Sequence, residues 1–442
     1  MAVKYAAFLL AISSICAAQE MKEVLERLTR LEEQNRQLLQ EVRELKQEMS
    51  RQEMSRQQIS AQAAASSSEA PVPPGEKLAV QEQRVADLDQ SKVGAEQRFP
   101  IALTGTVLFN AFLNGRNSSG QMNPVVASAT AGAAGAGASL RQTVLGFNFN
   151  GPDLPGGGKA SGTLFFDFFG GNGTSLNQLM RLRVATLDLA WKNTTISFGQ
   201  DKPIIAPREP DSLAQVGVSP LTGAGNLWLW SPQFRVEQRV AFGDNAGLRA
   251  QGGVYETNES YEGSPASPRP GIEGRFEFWA QSADRRIEIA PGFHTSESHF
   301  DGQSVPSRIF SLDWLIRPLS RIDFTGQFFS GENTGVVGGL RQGITVLDYQ
   351  ARPVHAKGGW AQLAIHITPR MTFHFYGGQE DDRNVDLSLG SIAKNQEYAG
   401  NIMYHLAPNV VTSFEFSQVR TTYLGGNTAI NPHYDLALAY LF

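Results

Sequence analysis

Between residues 235 and 288, five arginines (Arg235, Arg239, Arg249, Arg275 and Arg286) are interleaved with Glu237, Glu273, Glu277 and Glu288. A guanidinium is permanently charged and planar, so beside water it attracts anions and grips a carboxylate through two parallel hydrogen bonds. The same spacing has a second outcome. An arginine that pairs with an interleaved glutamate cancels its own field and leaves a merely solvated surface. Both outcomes require an element that puts these side chains on one face. Arg235, Glu237 and Arg239 are two apart, and Glu273, Arg275 and Glu277 repeat the pattern around Phe276 and Phe278. That is the period of a β-strand with one polar and one apolar face.

Other chemistries find little support. The chain has no G-x-S-x-G elbow, P-loop or H-E-x-x-H, and its seven histidines run from His294 to His433 without metal-ligand spacing. His294 and His299 are the closest pair and are expected to flank an external loop in solvent. Asp381 and Asp382 share a long loop, where isolated acids stay hydrated. The one cysteine, Cys16, lies in the first eighteen residues, so neither a cysteine-based metal centre nor a catalytic thiol is available beyond them. No catalytic residue, metal or cofactor is expected. A net charge of −5 and a pI near 5.9 remove the electrostatic drive for nucleic acid.

The elements that position the arginines are short strands. Gly 44 and Phe 26 with only 18% charged residues favour strands and turns over helices. Residues 1–18 carry Lys4, an apolar run from Tyr5 to Ile15 and then small residues, the build of a signal peptide cleaved after Ala18. Large, branched Ile15 argues against lipidation of Cys16. Residues 19–60 hold a heptad repeat with Met21, Leu28, Asn35, Val42 and Met49 at a, and Val24, Leu31, Leu38 and Leu45 at d. The repeat predicts a self-associating α-helical coiled coil, with Asn35 setting register. A Ser/Ala/Pro linker and a short polar helix fill 61–98.

From 99 to 442 the texture is alternating, and sixteen strands are predicted, the first at 101–112, the second at 139–149 and the last at 432–442. Short turns such as Lys192-Asn193 and Ala407-Pro408 alternate with long loops at 113–138, 201–231, 257–271, 332–355 and 381–395. Membrane barrels have this asymmetry, with short turns on the periplasmic side and long loops outside. The last strand presents Tyr434, Leu436, Leu438, Tyr440 and Phe442 on one face, which resembles the C-terminal signal of bacterial outer-membrane proteins. No stretch after the signal is long and apolar enough for a helical span. The fold class expected is an all-β transmembrane barrel of sixteen antiparallel strands with an N-terminal coiled coil.

The whole plan resembles the DcaP-like trimeric porins, and RLRVATLDLAW followed by ISFGQDKP is similar to that family's fourth and fifth strands. The resemblance implies a homotrimer in outer-membrane lipid that passes small hydrophilic solutes. It also implies that the loop from Asp201 to Ser231 folds into the lumen as a constriction, carrying Asp201, Lys202, Arg208, Glu209 and Asp211. Trp228 and Trp230 belong either to this constriction or to an aromatic belt, in which case a strand at 226–230 makes the count odd. The arginine-rich wall favours small anions such as carboxylates, provided the glutamates leave its field intact. A phosphate-selective pore, or an envelope tether whose coiled coil reaches the cell wall below a closed barrel, are the alternatives.

Overall fold

The computed structural model describes residues 101–171, 178–256, 269–300 and 302–442. The expected signal peptide, coiled coil and linker lie outside the described residues. Ten strands fill the first part: β1 (Ile101–Asn114), β2 (Gly135–Ser139), β3 (Val144–Leu154), β4 (Gly158–Gly170), β5 (Leu179–Ala190), β6 (Thr194–Asp201), β7 (Ser231–Ala241), β8 (Ala246–Tyr255), β9 (Gly271–Ser282) and β10 (Arg285–Phe300). Nine follow: β11 (Gln303–Leu319), β12 (Ile322–Glu332), β13 (Ile344–Leu347), β14 (Gln350–Pro353), β15 (His355–Thr368), β16 (Met371–Asp382), β17 (Ile392–Ala407), β18 (Val410–Tyr423) and β19 (Thr428–Leu441).

Sixteen of these close an antiparallel barrel. β1 pairs with β3 on one side and with β19 on the other, from Thr106 opposite Leu441 to Asn114 opposite His433, so the sheet has no free edge. β2 is a short addition to β1, and β13 and β14 form a separate hairpin inside a long connection. The turns of the β3–β4, β5–β6, β7–β8, β9–β10, β11–β12, β15–β16 and β17–β18 hairpins fall at one end, and the short β10–β11 turn falls at the other. At the β3–β4 turn, Pro155-Gly156-Gly157, two successive residues take φ of 78° and 75°, a left-handed pair that glycine adopts without a Cβ penalty. The long connections 115–143, 202–230 and 333–354 fall at the other end.

Burial is inverted relative to a soluble protein. Phe276 and Phe375 are 55% and 53% exposed, while Glu380 and Glu415 are 0% and 1% exposed. Alternation puts the aromatic and aliphatic residues outside and the charges inside, as a bilayer requires and water would not tolerate. The predicted strands fall within a few residues of those observed, with two instructive shifts. The second was expected at 139–149 but begins at Val144, because Arg141 leaves the ladder to bond the carbonyls of Phe168, Phe169 and Gly170. β10 and β11 run on to Phe300 and Gln303, through the segment expected to be an external loop.

Candidate functional site

The connection between β6 and β7 crosses the barrel interior. Its first residues meet the β9 side, where Ile204 N donates to Glu273 at 2.5 Å. Its middle reaches the far side. Asp211 N donates to Gln362 of β15 at 2.7 Å, Ser212 Oγ to Glu415 of β18 at 2.7 Å, and Gln215 Nε2 to Glu397 of β17 at 3.1 Å. Asn110 of β1 and Gln142 then donate to the carbonyls of Leu213 and Ala214. At Gly225 (φ +102°) the backbone presses on the barrel so closely that a Cβ would lie 2.3 Å from the Gly359 carbonyl. Trp228 and Trp230 lie in this connection, outside any strand, and the barrel count stays even.

On β7–β10 the predicted side chains share the inner face, as their alternation required. Every one of the five arginines has an acidic partner. Arg235 meets Asp201 at 3.1 Å, Arg239 meets Glu237 at 2.7 Å, Arg249 meets Glu277, and Arg286 meets Glu288 through Nε at 2.5 Å. Arg275 bonds Glu277 at 2.7 Å and Asp313 of β11 at 2.7 and 2.8 Å. Arg208 comes down from the crossing connection to reach Asp313 at 2.9 Å and also Glu288. Arg275 and Glu277 are sealed from water at 1% and 2% side-chain exposure, whereas Arg239 and Arg286 are half open at 59% and 50%. Of the two outcomes the spacing allowed, pairing is the one the side chains adopt.

The opposite wall, β16–β19, carries buried acids with no cationic partner among the described residues. Glu380 accepts from Thr334 Oγ1 at 2.8 Å and Leu340 N at 3.0 Å. Glu415 accepts from Ser212, Tyr376 and Asn401, and Asp435 from Asn110 at 2.9 Å. Neutral donors, many on the inward loops, take the place of ion pairs. The strand alternation carried these acids in plain view, but nothing in sequence joined Glu397, Glu415 and Asp435 to the connection that covers them.

A third group stands beside the start and end of the crossing connection. Arg141, Phe169, Arg181, Trp230 and Arg183 form a ladder of alternating cations and rings. Guanidinium-to-ring distances are 4.4, 5.7, 5.2 and 4.8 Å along it, within the range of cation–π attraction. Trp228 meets Trp230 edge-on at 5.0 Å. Asp167 braces the ladder, 2.6 Å from Arg181 and 3.7 Å from Arg183, and Lys202 pairs with Glu209 at 2.7 Å. Burial alone pushes the Glu209 carboxyl up, but Lys202 and the Ser219 hydroxyl more than reverse it, leaving the carboxyl below its ordinary value. A cavity of about 490 Å³ opens here, with Arg183, Lys202, Trp230, Phe165, Thr104 and Thr106 in its lining. Arg181 and Arg183 were visible in the sequence as alternate residues around Leu182; their joining to Trp230 was not.

No family model and no curated protein matches the chain. Solved structures do. The outer-membrane channel DcaP of Acinetobacter baumannii aligns at TM-score 0.63 and 16% identity, covering 77% of this chain and 97% of that one. An anion-selective porin from Comamonas acidovorans aligns at TM-score 0.56 and 14% identity over 77% and 99%. OprB of Pseudomonas putida gives 0.53 and 9% over 80% and 97%. The fold is that of an outer-membrane porin. The first of these neighbours agrees with the resemblance to DcaP-like porins drawn from the strand motifs and the overall plan.

Within this barrel two expectations are corrected. Asp381 and Asp382 end β16 rather than sharing a loop, and Asp382 is 3% exposed, accepting from Gln342 Nε2 at 2.7 Å. His294 is no solvated loop residue; it faces inward from β10 with its side chain fully buried. It meets Glu273 Oε1 and Ser296 Oγ at 3.1 Å each, and Tyr255 OH at 2.5 Å. The reason is the longer β10 hairpin, which carries His294 into the wall. Ser296, His294 and Glu273 follow the order of a hydrolytic triad, but burial beneath Tyr255 and Ile204 leaves the serine 7% exposed and denies it the open face a substrate needs. Among the described residues no group of three or more His, Cys, Asp or Glu is placed to hold a metal.

Proposed function

We propose that the chain is a passive outer-membrane porin for small hydrophilic solutes, favouring small anions such as carboxylates, with connection 202–230 as its constriction and a homotrimer as its assembly. The observation that carries this reading is the charge balance beside that connection. Arg141, Arg181, Arg183 and Lys202 stand against two carboxylates, Asp167 and Glu209. The acids of the far wall are covered by the loop and kept from the solute. A carboxylate in the passage meets surplus positive charge and is released by diffusion. The five arginines of β7–β10 form a paired, nearly neutral vestibule, with Arg239 and Arg286 its open members.

The Comamonas neighbour is described as anion-selective, which supports the same preference on the same fold. Trimerisation rests on the heptads of 19–60. A second reading has one observation in its favour. Trp228 N donates to Val337 O at 3.1 Å and Asn123 to Ala214 O at 2.6 Å, so three long connections interlock; a barrel they plug would be an envelope tether.

Proteoliposome swelling separates the readings. Porin function predicts entry of both a neutral pentose and lactate, with lactate faster. Arg181→Glu/Arg183→Glu should reverse that order. Entry of neither solute into vesicles holding folded barrel would favour the tether.

A further inference from the structure

The outer wall is apolar over most of its circumference, with Leu113, Val254 and Ile272 exposed near the loop-bearing ends of β1, β8 and β9. Across β11–β18 the same level is charged. Outward-facing neighbours run Arg308 to Glu332 to His355 across β11, β12 and β15, and Lys357 to Asp381 to Lys394 across β15–β17. Arg420 lies opposite Gln396 on β18.

The carboxylates of this band are spoken for. Glu332 is 3.6 Å from Arg308 and 3.3 Å from His355, Asp386 is 2.8 Å from His355, and Asp381 is 3.1 Å from Lys394. Lys357, Arg383 and Arg420 are exposed, and no carboxylate partner meets them among the described residues. A depression of about 670 Å³ opens at this level, with Arg308, Lys357 and Arg383 in its rim beside the carboxylates Glu332, Asp381 and Asp382; Glu332 and Asp381 are the paired acids just named, and Asp382 is buried under Gln342.

Directly toward the membrane the character changes again. Phe310, Phe328, Leu363, Phe375 and Tyr398 are exposed, and small residues separate them. Gly359 lies opposite Phe328, Gly377 opposite Tyr398 and Gly400 opposite Phe375. Rings interspersed with glycines give an uneven apolar surface suited to flexible hydrocarbon chains. Two exposed cations unpaired among the described residues, Lys357 and Arg383, above an apolar band are complementary to an amphiphile with an anionic head and acyl tails.

We propose that the outer face of β11–β18 seats a phosphorylated lipid of the leaflet on the loop side, its phosphate on Lys357 and Arg383 with Arg308, which Glu332 only partly engages at 3.6 Å, beside them, and its chains along the apolar band. A phosphate dianion suits the three cations better than a zwitterionic head, whose own ammonium would neutralise it. The inference takes only the membrane location from the porin reading and does not require conduction.

The test uses the full-length protein in detergent micelles, with dioleoyl phosphatidic acid and dioleoyl phosphatidylcholine as probes and retained lipid counted by native mass spectrometry. Phosphatidic acid should be held preferentially. Lys357→Gln/Arg383→Gln should weaken it by about 25-fold, at roughly fivefold for each cation lost. Lys357→Glu/Arg383→Glu should weaken it more, and Arg285→Glu/Arg370→Glu at the turn end should change nothing. Heat-modifiable gel mobility selects folded barrels for comparison. Three results would overturn the proposal: equal retention in wild type and both β15–β16 variants; displacement of the lipid by inorganic phosphate at matched concentration, which marks a soluble-anion site; or break-up of the assembly by the variants in mass photometry, which marks a contact between copies of the chain. A barrel that holds phosphatidic acid but conducts nothing would sink the porin reading alone.

Discussion

The two walls of the lumen solve one problem in different ways. Both belong to one sheet, and both put charged side chains inward by the same alternation. The β7–β11 wall balances charge with charge, so that Arg275 and Asp313, each 1% exposed, bond through two hydrogen bonds. The β16–β19 wall holds acids without cations and satisfies them with hydroxyls, amides and backbone N–H groups, several contributed by the crossing connection. Removing half of an ion pair strands a buried charge, whereas a hydrogen-bonded acid can accept a neutral isostere. The first wall is therefore stiff and nearly field-free. The second doubles as the far anchor of the crossing connection, whose near end is held by Glu273, Glu288 and Asp313.

The largest expected effect breaks the ion-paired wall. Asp313→Ala deprives Arg275 and Arg208 together and should cost about 3–5 kcal/mol, read as a lowered midpoint in urea unfolding of the detergent-solubilised barrel. Glu415→Gln, which keeps the shape of a group bonded by Ser212, Tyr376 and Asn401, should cost only about 1 kcal/mol in the same assay; equal losses would erase the distinction between the walls. Gly225→Ala tests the anchor. The left-handed φ and the close Gly359 carbonyl should cost about 1–3 kcal/mol and loosen the loop, seen as noisier single-channel current. The smallest effect is a pH dependence at Glu209. Because its carboxyl is held below the ordinary value, the Lys202 pairing is complete above about pH 4.3 and is lost as pH falls through the lowered value. Anion preference should then rise in acid as Lys202 is freed, and Glu209→Gln should abolish that rise.

The barrel itself was legible. Period-two alternation, such as Met371, Phe373 and Phe375 against Thr372, His374 and Tyr376, placed all but β3 and the β10–β11 hairpin within a few residues, and the alternation of short turns with long loops gave the topology. The inward set at Arg235 to Arg286 was legible for the same reason. What could not be read was who meets whom. Asp313 is 38 residues from Arg275, Glu415 is 203 residues from Ser212, and no local rule links such positions. Period-two reading also misplaced β3, because Leu140 continues an apolar rhythm that Arg141 breaks by turning to carbonyl groups. The inward position of His294 was lost with the length of its hairpin, which polar Ser296 and Ser298 disguised as a loop.

The most direct test of the central claim is the reversal potential of single channels in a planar bilayer under a KCl gradient, for wild type and for Arg181→Glu/Arg183→Glu. The account predicts anion selectivity that reverses in this variant but persists when Arg239 and Arg286 of the paired wall are changed instead. Selectivity that follows Arg239 and Arg286 and ignores the ladder would contradict it.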